Sequence, residues 1–118
     1  GAGEDGDVVE EAIGRVMTLK KNREGDAKYV ARIGGKTYKF GNKKYRDYTL
    51  MNSKKSQFYE PLMSDRDRVR ANYRRRHQND KLDEISSGSL SYYLLWNKPT
   101  LKDSIQDCEK RFNVRIET

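Results

Sequence analysis

Six arginines crowd one short stretch, Arg66, Arg68, Arg70, Arg74, Arg75 and Arg76, and His77 follows directly. A guanidinium presents a rigid fork of donors that matches phosphate and carboxylate oxygens, so this density is the footprint of a polyanion-binding surface. Helical spacing lines up Arg66, Arg70 and Arg74 at i, i+4 and i+8, and Arg68, Arg75 and Arg76 widen the patch. Arg32 and Lys39, on one face of a strand pair nearer the N-terminus, complete the candidate set. The chemistry is phosphate contact, which supplies affinity without reading sequence. The competing reading is a solvated face whose charges pair with Asp65, Asp67, Asp80, Asp83 and Glu84.

Other chemistry finds little support. Gly34-Gly35-Lys36-Thr37 imitates the end of a phosphate-binding loop, but Val30 stands where the leading Gly belongs and a strand, not a helix, should follow. One His and one Cys cannot build a four-ligand zinc site, and no His/Asp/Glu group has metal-ligand spacing. His77 has no second His or nucleophile in view; it can hydrogen-bond the loop beyond its helix, the preferred reading, or join the arginines in contacting phosphate. A small nuclease would require the fold to gather distant carboxylates such as Asp47, Asp80 and Glu84. The expectation is therefore a non-enzyme with no catalytic residue, cofactor, metal or small-molecule substrate.

Charge is unevenly spread. The net charge is +7 over 118 residues, yet Glu4, Asp5, Asp7, Glu10 and Glu11 give the first fourteen residues −5 with no Lys or Arg. The rest holds +12, a basic body behind an acidic segment. Only 34% of residues are apolar and 36% are charged, so the core must be thin and must lean on the twelve aromatics. No apolar run is long enough for a membrane span, and the single Cys108 leaves no intramolecular disulfide, which points to a reducing intracellular compartment.

The elements that must position these residues read as one small α+β domain, a two-stranded hairpin packed on about four helices. An acidic N-terminal segment, residues 1–25, precedes a basic domain, residues 26–118. Val9, Ala12, Ile13 and Val16 predict a helix from about Asp7 to Lys20. Gly34-Gly35 predicts a type I′ or II′ hairpin between Lys28–Ile33 and Lys36–Phe40, with Ala31 opposite Tyr38 and Tyr29 opposite Phe40. That aromatic face requires helical cover, whereas Val30, Arg32, Thr37 and Lys39 form the other face. Residues 41–52 read as an ordered connector pinned by Tyr45 and Tyr48.

Ser64 is the expected N-cap of the arginine helix, with Asp67 at the capping-box position and Val69 and Tyr73 facing the core. Ser89 is the expected N-cap of a central apolar helix through Leu90, Tyr93, Leu94 and Trp96. Thr100 should cap the last helix, whose stripe is Leu101, Ile105, Cys108 and Phe112. Cys108 and Trp96 are read as core residues, not as a reactive thiol and a stacking platform.

Residues 38–113 carry a further pattern: Tyr38-x-Phe40-Gly41, Tyr45-x-Asp47-Tyr48-Thr49, Tyr73-x-x-Arg76-His77 and Gly88-x-Leu90-Ser91. It continues through Leu94-Leu95-Trp96-Asn97-Lys98-Pro99-Thr100-Leu101, Ser104-Ile105 and Arg111-Phe112-Asn113. The pattern resembles a family of small basic proteins encoded by large DNA viruses of algae, protists and other eukaryotes. Members carry a His after Asp-Tyr-Thr, where this chain has Leu50, and a Trp after Arg-His, whereas Trp96 is the only Trp here. The resemblance implies a viral setting, in the virion or in the cytoplasm or nucleus of the host cell. Joined to the residues, it suggests a non-enzymatic structural or accessory protein, a virion component whose arginine helix meets the capsid or another acidic partner. The alternative is a sequence-nonspecific nucleic-acid-binding protein.

Overall fold

The Gly34-Gly35 pair turns the chain back with both φ angles positive, 56° and 76°, the backbone of a type I′ turn that costs glycine little. The flanking strands pair as expected, with Ile33 opposite Lys36, Ala31 opposite Tyr38 and Tyr29 opposite Phe40. The computed structural model describes residues 15–118, and in it the hairpin is half of a four-stranded sheet. The strands are β1 (Arg15–Lys21), β2 (Tyr29–Ile33), β3 (Lys36–Phe40) and β4 (Val114–Glu117), in the order β3-β2-β1-β4. β1 runs antiparallel to β2 and parallel to β4, and the whole helical part of the chain forms the crossover from β3 to β4, the two edge strands.

Two expectations are corrected here. The helix expected from Asp7 to Lys20 is a strand over its C-terminal part, and residues 7–14 of it lie outside the described residues. Met17 and Leu19 point into the core, while Val16 and Lys20 point out, a period of two that the sheet enforces. A lone hairpin is marginal in water, and β1 and β4 each bury alternate side chains beside it. β1, residues 15–21, pairs with β2 on one edge and β4 on the other.

Four helices follow the hairpin: α1 (Tyr48–Met51), α2 (Met63–His77), α3 (Ser87–Leu90) and α4 (Leu101–Phe112). α3 widens directly into a π-helical turn, Ser91–Leu95. It begins earlier than expected, because Ser86 and Ser89 form a reciprocal capping box in which Ser86, not Ser89, is the N-cap. Leu90, Tyr92, Tyr93, Leu94, Leu95 and Trp96 are all buried and fill the centre between sheet and helices. Thr100 caps α4 as expected, accepting from the Asp103 amide at 3.2 Å. Cys108 is fully buried on the α4 stripe, and burial pushes its thiol up to about 12. α4 ends at Asn113, which takes φ 51° and turns the chain into β4.

The core lies on one face of the sheet, with Met17, Leu19, Ala31, Ile33, Phe40, Val114 and Ile116 against the helical layer. The other face carries Lys20, Arg32, Lys39 and Arg115, all exposed. Val30 is buried there too, with Lys20 and Lys39 as its cross-strand neighbours. Among the described residues no helix is long and apolar enough to cross a membrane.

Candidate functional site

α2 has no fully buried side chain, so packing alone does not explain its place against the body. Polar clamps hold it. Arg70 Nε donates to the Asn97 carbonyl at 2.7 Å, and Arg74 Nη1 donates to the Trp96 carbonyl at 2.9 Å. Those carbonyls stand just past the π-helical turn, where a helix leaves acceptors without intrahelical partners and where positive charge is favoured. The Arg74 guanidinium also lies 4.0 Å from the centre of the Tyr92 ring. Burial lowers the pKa of Arg74, the largest effect on it. Arg66 reaches back to the Glu60 carbonyl at 2.6 Å, and its Nε is buried without a partner among the described residues.

The expected arginine stripe therefore exists as spacing and points the other way. Arg66, Arg70 and Arg74 bind carbonyls of their own chain, a use of guanidinium that residue type and spacing do not distinguish from phosphate contact. Arg68, Arg75 and Arg76 are exposed. Pairing with carboxylates is sparse on α2: Arg68 meets Asp65 at 3.2 Å, and His77 Nδ1 lies 3.0 Å from Asp80, the local role expected of it. Arg32 and Lys39 sit on the open sheet face, away from α2.

The Asp47-Tyr48-Thr49 segment is a second clamp. Asp47, almost wholly buried, caps α1 through the Leu50 amide at 2.9 Å and accepts from Lys28 Nζ at 2.7 Å and Thr49 Oγ1 at 2.6 Å. Tyr48 donates its hydroxyl to Asp67 at 2.7 Å, which corrects the expected capping box: Asp67 is committed to Tyr48, and the residue before α2 is Leu62, with no side-chain cap. Burial and the Asp67 hydrogen bond raise the Tyr48 pKa. Asp47, Asp80 and Glu84 do not converge, and among the described residues no three of His, Cys, Asp or Glu are grouped to hold a metal ion.

Between α2 and the segment after β3 lies a cleft of about 640 Å³. Lys28, Lys44, Arg46, Arg68 and Arg76 line it with no carboxylate side chain among them. Asn42, Asn72, Tyr45 and Phe58 add polar and aromatic walls, and Tyr73 and Trp96 close the floor. The floor is rigid: Tyr73 stacks on Trp96 at 4.3 Å with 8° between planes, and His77 covers its other side at 4.2 Å. Gly41 forms part of the wall with φ 72°, and a Cβ there would lie 2.8 Å from Leu95 Cδ1 and 3.2 Å from Lys28.

α2 thus has two working faces. Residues 68, 69, 72, 73 and 76 border the cleft, while 66, 70 and 74 grip carbonyls roughly a third of the way round the axis. Lys28, Lys44, Arg46 and Tyr45 were missed as site residues. Their signal is the run Lys43-Lys44-Tyr45-Arg46, cations interleaved with an aromatic on a short connector. Tyr45 does not pin that connector as expected, because it is 67% exposed, whereas Tyr48 is buried.

Compared with protein-family models, curated proteins and solved structures, the chain matches nothing.

Proposed function

We propose that this is a non-catalytic binding protein, an accessory or virion component in the viral setting that its sequence pattern implies, and that its acidic partner is nucleic acid. One observation carries the reading: a concave cleft lined by five cationic side chains, of which Lys28 is paired with Asp47 and Arg68 with Asp65, while Lys44, Arg46 and Arg76 meet no carboxylate among the described residues. Such a site favours a polyanion, because gathering like charges is unfavourable unless an anion neutralises them. The contacts available are to phosphate, so affinity without base-sequence preference follows.

The interface expected along the arginine helix narrows under this reading. Arg68 and Arg76 stay in it at the cleft, Arg75 flanks it, and Lys44 and Arg46 join them. An acidic protein such as a capsid subunit would need a complementary carboxylate surface and would show a weaker dependence on salt. The test is binding of short DNA to the purified chain over a series of salt concentrations. Log affinity should fall linearly with log salt, with a slope of about 0.7 to 0.9 per phosphate neutralised. Absence of binding at low salt overturns the reading.

A further inference from the structure

Resting on that reading, we propose that the cleft beside α2 accommodates an unpaired nucleotide of a single-stranded polynucleotide, with its base against Tyr45 and its phosphate among Lys44, Arg46 and Arg76. The shape favours a strand whose bases are free. A duplex offers a convex wall of phosphates with its bases stacked inside, and it has nothing to place in a concave space with aromatic walls. At about 640 Å³ the cleft falls within the usual range for a ligand of this size, about 300 to 1,000 Å³.

The rings divide into committed and available ones. Tyr73 is covered on both sides, by Trp96 and by His77, so it supports the floor and offers no face. Tyr45 stacks on no ring among the described residues and is 67% exposed at the mouth of the cleft. A large exposed aromatic beside three cations gains area and π contact from a base, which it lacks in the free chain.

The polar walls are donors. Asn42 Oδ1 accepts from the Lys44 amide at 2.8 Å, and Asn72 Oδ1 accepts from Arg75 at 3.0 Å. Each carboxamide oxygen thereby has one acceptor site engaged, while the NH2 donors have no partner among the described residues. Every base carries ring-nitrogen or carbonyl acceptors on its edge, so these donors hold a base without selecting one.

Fluorescence anisotropy with labelled oligo-dT, oligo-rU and a DNA duplex of equal length, at one ionic strength, tests the assignment. Both single strands should bind at least about tenfold tighter than the duplex, and Tyr45→Ala should remove most of that preference. The salt slope of Tyr45→Ala should match that of the wild type, because the ring neutralises no phosphate. Tighter binding of either single strand supports the proposal and identifies which polymer the cleft favours. Equal affinity for duplex and single strands, or an unchanged preference in Tyr45→Ala, overturns it and leaves the nucleic-acid reading standing. Failure of all three probes to bind overturns both.

Discussion

The two faces of α2 carry the same side chain and use it in opposite ways. On one, Arg70 and Arg74 close on the carbonyls of Asn97 and Trp96. On the other, Arg68 and Arg76 border an open cleft together with Lys44 and Arg46. What separates them is the geometry of available acceptors. A helix end presents unpartnered carbonyls, and an arginine within reach will satisfy them before it meets a ligand. A row of arginines at helical spacing is therefore evidence for anion recognition only after the chain's own acceptors have been counted.

The largest effect should come from the inward face. Replacing Arg70 and Arg74 by Ala removes two charge-assisted hydrogen bonds and strands two carbonyls. Each such bond is worth about 1.5 to 3 kcal/mol, so denaturant unfolding should show a combined loss of about 3 kcal/mol or more. Arg68→Ala with Arg76→Ala should change stability by less than about 0.5 kcal/mol in the same assay. Equal losses for the two pairs would erase the distinction between the faces.

Gly41→Ala probes the wall that the cleft shares with the core. It combines a left-handed backbone with a 2.8 Å approach to Leu95, so a loss of about 1 to 3 kcal/mol is expected in thermal unfolding. Lys28 would also be displaced and its ion pair with Asp47 strained, which adds to the loss. A neutral substitution would mean that the wall yields easily.

The smallest effect is the share of two tyrosines in the response to pH. Tyr48 and Tyr73 both lie where α2 meets the body, and burial raises both phenols above the ordinary value of 10.0. A raised folded-state pKa means that the folded chain holds its proton more tightly than the unfolded one. Their contribution is present in full below pH 10 and is lost as pH rises through the folded values. The tyrosine share of stability should be level near neutrality and decline above pH 10, and Tyr48→Phe should lessen that decline. Cys108, raised from 9.0 to about 12 by burial, starts to lose its contribution lower, from pH 9 upward, and it should react with thiol reagents only after unfolding.

Local signals in the chain were legible where one short segment decides the outcome. Gly34-Gly35 specified its turn and register, Thr100 specified the start of α4, and the apolar density from Leu90 to Trp96 placed that segment at the centre. Elements that depend on distant partners were not legible. Val16, Met17 and Leu19 fit a helix or a strand over so short a run, and only pairing with residues 29–32 and 114–117 decides for the strand. Val114 and Ile116 alternate with Arg115 and Glu117, a strand signal too brief to stand alone. The cleft was illegible for the same reason, because Lys28, Lys44 and Arg76 are neighbours only after the hairpin and α2 have folded together.

The most direct test of the account compares salt-dependent DNA binding by two variants, with affinities corrected to the folded fraction. One carries Lys44→Ala, Arg46→Ala and Arg76→Ala, and the other carries Arg70→Ala and Arg74→Ala. The cleft variant should bind weakly, with its slope of log affinity against log salt reduced by about 2 to 3, while the folded inward variant keeps the wild-type slope. A wild-type slope in the cleft variant, with the loss in the inward one, would contradict the division of α2 into a structural and a binding face.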